Sequence, residues 1–299
     1  MGGQFTLQRF TVRELASPTE FKQTEAVQQA AWGMDDIDVV PAATMIAIAR
    51  EGGLAAGAFE GGRVVGFVFG FPTADPKLQH SHMLAVLPEY RGTGLAVRLK
   101  LFQRAWCLAR GIDRVVWTYD PLLGLNATFN VRKLGCVVRT YLADCYGPLS
   151  GVNAGVPTDR FLAEWALTSA RVEAAVKRLE GARGEAGCLW PGSGSSSGAS
   201  GAGRGDDGAE ANARVAEPPL ANLSRGERPV AVTPAPEGPR VAVQIPDDFS
   251  RLLRSDPALA MEWRLHAREL FSGYFSKGYA VVDFMRAGGR NFYVLERER

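Results

Sequence analysis

From residue 181 to residue 239 the chain reads GARGEAGCLWPGSGSSSGASGAGRGDDGAEANARVAEPPLANLSRGERPVAVTPAPEGP. Gly, Ser, Ala and Pro dominate this stretch, and neither a period of 2 nor one of 3.6 survives in it. Such a composition cannot bury enough apolar surface to offset the entropy of ordering it, so a flexible linker is expected over residues 179–239. The 299 residues are thereby divided into a large first unit, 1–178, and a small second one, 240–299. The first is long enough to fold around its own core. The second is too short to be comfortable alone, and is expected to pack on the first domain or on a partner subunit, the latter making a homodimer.

Composition excludes several functions. A formal net charge of +2 gives no long-range field for nucleic acid or for an anionic membrane surface. The four cysteines (Cys107, Cys136, Cys145, Cys188) form no CxxC and have no companion-histidine spacing, so reduced, mostly buried thiols are expected and no metal. The start MGGQFTLQRFTVREL has no apolar signal core, and no stretch is long enough to span a bilayer. Gly2 and Thr6 fit a loose myristoylation pattern, but the residues that follow read as the first strand. A cytoplasmic protein with no membrane association is the expectation.

Within 1–178, FTLQRFTVREL reads as a strand, and LAAGAFEGGRVVGFVFGFP as two strands joined at Gly61-Gly62. Between them SPTEFKQTEAVQQAAWG has a Ser17 cap, Pro18 at the first helical position and Gly33 as its stop. HSHMLAVLP is a further strand. GLAVRLKLFQRAWCLARG is a helix with Leu95, Phe102, Trp106 and Ala109 on one face. DRVVWTY is a strand, NATFNVRKLG a short helix, and VVRTYLADCYG the last strand of the core. Beyond the linker, RVAVQIP, a helix opening at Ser255-Asp256-Pro257, and a hairpin turning at Gly288-Gly289 complete the pattern. The fold class is α/β (mixed α+β): a twisted mixed central sheet with helices on both faces, plus a small C-terminal strand-helix-hairpin unit.

The junction LPEYRGTGLA, residues 87–96, runs from strand to helix through two glycines. Such a turn presents unpaired N–H groups at the positive end of a helix dipole, where a phosphate fits. Gly92 and Gly94 remove obstructing side chains, Ala96 stays small, and Arg91 adds a cation. The run MLAVLPEYRGTGLAVRLKLFQRAW resembles motif A of the GNAT acyltransferase superfamily, with Arg91, Gly94 and Ala96 at the signature positions. The resemblance in element order extends over about residues 5–147. It implies an acyl-CoA site: Arg91, Gly92, Thr93, Gly94, Leu95 and Ala96 would hold the CoA pyrophosphate, and Leu84, Ala85 and Val86 the pantetheine. A narrower resemblance, through SHMLAV, WTYDPL, LNATFNVRKLG, YG, PTDRFLAEW and MEWRLHARELF, is to a bacterial GNAT subfamily. Some of its members are associated with N-acylation of amino acids, including succinyl transfer. Acetyl-CoA or another acyl-CoA, succinyl-CoA among them, is thus the implied co-substrate, and a small-molecule amine the implied acceptor. A CoA-binding regulatory module and a protein N-acetyltransferase are the alternative readings.

In many members a tyrosine four residues before the helix-ending glycine is the acid; counting back from Gly135 gives Val131. The acid must then come from elsewhere, and Tyr146, placed with Tyr141 and Asp144 on the last strand, is the first choice. Asp120, beside Tyr119, is a second catalytic candidate, or it caps a Pro-containing turn. Asn126 and Asn130 share a helix face and serve pantetheine amides or neighbouring backbone. His80 and His82 alternate with Ser81 and point to one face, and His82 is the favoured base. In the polar GVNAGVPTDRF, Arg160 would fork onto a substrate carboxylate with Asp159 orienting it or receiving the amine; a structural Asp-Arg pair is the other reading. Arg264 and Arg268 read as a solvated arginine face in preference to an acidic-substrate site.

Overall fold

The computed structural model of the chain describes residues 10–147, 156–185 and 217–298. The start of the expected first strand, Cys188 and residues 186–216 of the expected linker lie outside them. Of the first strand, β1 (Thr11–Glu14) is described. In α1 (Pro18–Trp32) the Ser17 hydroxyl accepts the Glu20 N–H at 3.3 Å, and Gly33 ends the helix with φ 65°. Then follow α2 (Ala42–Arg50), β2 (Leu54–Glu60), β3 (Arg63–Pro72), β4 (Leu78–Val86), α3 (Leu95–Leu108) and β5 (Arg114–Tyr119). A short α4 (Gly124–Ala127) continues as a π-helical turn, Thr128–Lys133, into β6 (Val137–Leu142); β7 (Arg160–Ala166) and α5 (Ala170–Glu185) follow. The remaining elements are β8 (Asn222–Arg225), β9 (Arg228–Ala231), β10 (Arg240–Ile245), α6 (Phe249–Ser255), α7 (Pro257–Ser276), β11 (Tyr279–Ala287) and β12 (Arg290–Arg297).

Among the described residues one 10-stranded mixed sheet carries the fold, in the order β1-β2-β3-β4-β5-β7-β6-β11-β12-β10. β4, α3 and β5 form the parallel crossover, and helices cover both faces, as the alternation implied. The C-terminal unit packs on the first domain of its own chain. Val281 of β11 pairs with Val138 of β6, the Tyr293 hydroxyl donates to the Pro121 carbonyl at 2.9 Å, and Arg132 donates to the Phe284 carbonyl at 3.0 Å.

Four details differ from the sequence reading. VVRTYLADCYG was expected to be the last strand of the core, yet β7 follows it: Phe161, Ala163 and Trp165 alternate inward and the strand sits between β5 and β6. α2 follows Pro41 with no side-chain cap, so no start signal marked it. The linker boundaries differ too: α5 runs on to Glu185, and residues 222–231 form the β8–β9 hairpin. Finally, β6 ends at Leu142, so Asp144 (φ 46°) and Tyr146 stand on the turn beyond the strand.

The seam between the two units is aromatic. Phe161, 0% exposed, contacts the rings of Tyr119, Tyr141, Phe271 and Tyr293 at centroid distances of 5.7, 5.7, 4.7 and 5.4 Å. Truncating it removes packing from both units at once. Phe161→Ala is expected to lose about 3–5 kcal/mol in denaturant unfolding, and a loss below about 1 kcal/mol would show that the seam does not join them.

Candidate active site

β4 and β5 pair in parallel only from Leu78–His80 to Arg114–Val116. β3 continues to hold β4 as far as Val86, and β7 holds β5 as far as Tyr119, so beyond His80 the two strands part. A β-bulge sharpens the divergence: Phe69 opposes Met83 and Gly70 opposes Ser81, leaving His82 as the extra residue. The main chain of Leu84, Ala85 and Val86 therefore has no strand partner on its β5 side among the described residues. Those groups need an outside partner in place of a ladder.

The glycine junction closes the same end. Gly92 and Gly94 have φ of 79° and 82°, and no protein atom lies within 4 Å of where a β-carbon would stand on either. The first bond of α3 runs from the Arg98 N–H to the Gly94 carbonyl at 3.1 Å, so the N–H groups ahead of it have no helical acceptor. Thr93 donates to the Tyr90 carbonyl at 2.7 Å and shapes the turn. Arg91 donates to the Ala31 carbonyl at 2.8 Å, which ties the loop to the end of α1. Open space over two left-handed glycines, a free helix N-terminus and an unpaired strand edge fit a pyrophosphate joined to an amide-bearing chain.

His80 and His82 lie on one face, their rings 6.2 Å apart. Phe71 stacks on His80 at 4.8 Å and meets His82 at 5.6 Å, while Phe69 meets His82 edge-on at 6.2 Å. Burial lowers both imidazoles below 6.5, and His80 is lowered further by the charges of His82 and Lys100, so both are neutral bases near pH 7. Phe71 also lines, with Ala47, Ile48, Glu51 and Pro72, a shallow open cleft of about 390 Å³ that is almost wholly apolar.

Across the divergence stands Tyr146. Val116 is the register partner of His80, so Thr118, two residues on, shares the face of His82 from the opposite arm. The Tyr146 hydroxyl is 2.6 Å from Thr118 Oγ1, and the residue is 48% exposed. Val131, where a tyrosine would be expected, is buried in the core and carries no polar group. Asn130 is buried and accepts from the Trp117 indole at 3.1 Å, and half-buried Asn126 stands on α4.

Asp120 and Asp159 are engaged by residues the sequence reading set aside. Arg264, on α7, is 1% exposed and donates to both oxygens of Asp120 at 2.8 and 2.6 Å; Asp120 also accepts the Leu122 N–H at 2.9 Å. One turn later Arg268 forks Asp159 at 2.9 and 2.6 Å, and Tyr141 donates to the same carboxylate at 2.6 Å. The expected solvated face is thus corrected: the helix turns these arginines inward onto buried acids. Burial pushes the Asp159 carboxyl up, but Arg268, Tyr141 and the Asp144 N–H outweigh it and hold it below its ordinary value. The i,i+4 spacing was visible in the sequence; the aspartates that receive it come from distant strands. Lys100 also escaped notice. It is buried beneath β4, donates to Ser81 at 2.9 Å and Gln103 at 3.0 Å, and lies 3.6 Å from the Trp117 ring centroid.

Residues 12–129 match the family model described as the Acetyltransferase (GNAT) family, a stretch running from β1 into the π-helical turn. These residues are a GNAT acetyltransferase domain. Domains of this kind take an acetyl group from acetyl-CoA. No curated protein matches the chain significantly. Solved structures similar to it include the ribosomal-protein-S18-alanine N-acetyltransferase of Escherichia coli (17% identity, TM-score 0.44, 54% of this chain and 96% of that one). Others are the aminoglycoside 6'-acetyltransferase type Ii (17%, 0.44, 53% and 98%) and an N-acetyltransferase of Staphylococcus aureus Mu50 (16%, 0.45, 54% and 100%). Among the described residues no side-chain cluster is suited to a metal ion, and no helix is long and apolar enough to cross a membrane.

Burial lowers the Lys100 ammonium from 10.5 to about 7. Between those values the unfolded chain holds a proton that the folded one has released, so stability rises with pH across that window. Lys100→Met is expected to remove this rise in urea unfolding at pH 7, 8.5 and 10. An unchanged slope would mean that Lys100 stays charged in the fold.

Proposed function

We propose that the chain transfers an acyl group from an acyl-CoA directly to the amine of a small molecule such as an amino acid. His82 takes the proton from the incoming ammonium, and the freed lone pair attacks the thioester carbonyl carbon as the carbon–sulfur bond breaks. Tyr146, held by Thr118, gives its proton to the departing sulfur and is reprotonated by the second proton that the nitrogen sheds as the amide forms, while the first leaves His82 to solvent. The observation that supports this reading is that His82 stands on the β4 arm of the divergence while the Tyr146 hydroxyl, from the turn beyond β6, meets Thr118 on the β5 arm. The glycine turn 91–96 and Leu84–Val86 hold the donor, with Asn126 beside them. Asn130 supports from behind through Trp117.

The acceptor lies along the same face. Arg160 receives its carboxylate, and the cleft between Ile48 and Phe71 takes an apolar substituent. Asp120 and Asp159, both fully engaged, position the arginines and do not touch the amine. Acetyl and succinyl groups are both candidate loads. The reaction is assigned to the cytoplasm, where free thiols such as Cys107 and Cys136 persist.

A thiol-release screen crossing acetyl-CoA and succinyl-CoA with D- and L-amino acids tests the reading, which fails if no pair releases thiol. His82→Ala is expected to lower kcat by about 10²-fold or more, and Tyr146→Phe by about 10-fold or more, with CoA affinity kept. Because the imidazole is lowered, kcat/KM falls only below pH 6.5 and is flat from there to pH 8. Unchanged rates in both variants would remove these two roles.

A further inference from the structure

Four buried charged groups, Arg160, Arg264, Asp120 and Asp159, meet beside α7 at the ends of β5 and β7, and partly exposed Arg268 joins them. Arg264 takes both oxygens of Asp120, and Arg268 both oxygens of Asp159. Arg160 is only 9% exposed and has no carboxylate of its own. The nearest, Asp120 Oδ2, is 3.7 Å from its Nη1, beyond hydrogen-bond reach, and that Nη1 donates to the Asp159 main-chain carbonyl at 3.0 Å. Asp144, on the exposed turn, accepts from Thr158 instead. With Asp120 and Asp159 each forked by an arginine of α7, the Arg160 guanidinium keeps one ion pair at 3.7 Å and no two-point carboxylate partner.

The direction of that charge is set. The guanidinium carbon of Arg160 lies 5.6 Å from the ring centroid of Tyr146, whose hydroxyl contacts Thr118 in the β4–β5 divergence. A planar fork with donors to spare suits a carboxylate. If Arg264 did not occupy Asp120, that carboxylate would swing the short distance to Arg160 and fill the fork.

We infer that Arg264 is a positioning residue that holds Asp120 away from Arg160, keeping Arg160 as a receptor for a substrate carboxylate. This rests on the acyl-transfer reading for which substrate carries the group. Two sources supply the same chemistry, the α-carboxylate of an amino acid and the terminal carboxylate of a dicarboxylic acyl chain. The C-terminal unit would thereby set specificity from outside the GNAT domain.

Calorimetric titration of the full chain tests it with matched pairs: leucine against isopentylamine, and succinyl-CoA against acetyl-CoA. At least one carboxylate-bearing member is expected to bind 10-fold or more tightly than its partner, and the pair that shows this names the source. Arg264→Gln should cut that preference at least 5-fold while the carboxylate-free members keep their affinity within 2-fold. Asp120→Asn added to Arg264→Gln should restore it, because no acid then competes for Arg160. A merely structural role would weaken both members together and would not be rescued. If Arg264→Gln does not fold, as judged by circular dichroism, the double variant decides: preference retained supports the inference and preference lost overturns it. No preference in either wild-type pair, or equal weakening of both members, also overturns it. Absence of thiol release alongside an intact preference would remove the acyl-transfer reading and leave the receptor.

Discussion

Two parallel strands that stop pairing in the middle of a sheet are the constraint on which this molecule is organised. β4 and β5 share three register pairs and then separate, although each keeps its outer neighbour to its full length. A break of this kind leaves main-chain donors and acceptors without partners inside an otherwise complete ladder, and an interior location makes that expensive. The bulge at His82 and the crossover through α3 hold the gap open. The same opening leaves the main chain of Leu84–Val86 without a β5 partner and has His82 on its β4 arm and Thr118, which the Tyr146 hydroxyl contacts, on its β5 arm.

Charge burial is the second organising feature. Each arginine of α7 meets a carboxylate in a two-point fork, so desolvation is offset by geometry as well as by opposite charge. The acids stand just past the end of β5 and just before the start of β7. Two units that the sequence separates by a long polar stretch are thus joined at their most polar interior point and, a few ångströms away, through the aromatic packing of Phe161, Phe271 and Tyr293.

What could be read beforehand followed from local rules. Ser17, Pro18 and Gly33 marked α1; Asp256 and Pro257 marked α7; alternation set His80 and His82 on one face; and two left-handed glycines marked the junction into α3. What could not be read depended on pairing at a distance. β7 is preceded by Asp159, whose arginine partner lies 109 positions away, so nothing local marked the start of the strand. Arg264 and Arg268 have the spacing of a solvated stripe, and only the sheet reveals the acids beneath them. Tyr146 was expected on a strand because VVRTYLADCYG alternates for part of its length, yet Asp144 turns the chain with a positive φ.

The pairing of β11 with β6 has one more effect. In a seven-strand sheet ending at β6, that strand would present a bare row of amides and carbonyls, the usual template for strand exchange between molecules. Here the chain covers its own edge, and the exposed border moves out to β10, where Ala242 already bonds Pro219 and Ala221. The β6 margin is therefore no longer an outer edge of the sheet, and among the described residues the sheet ends at β1 and β10.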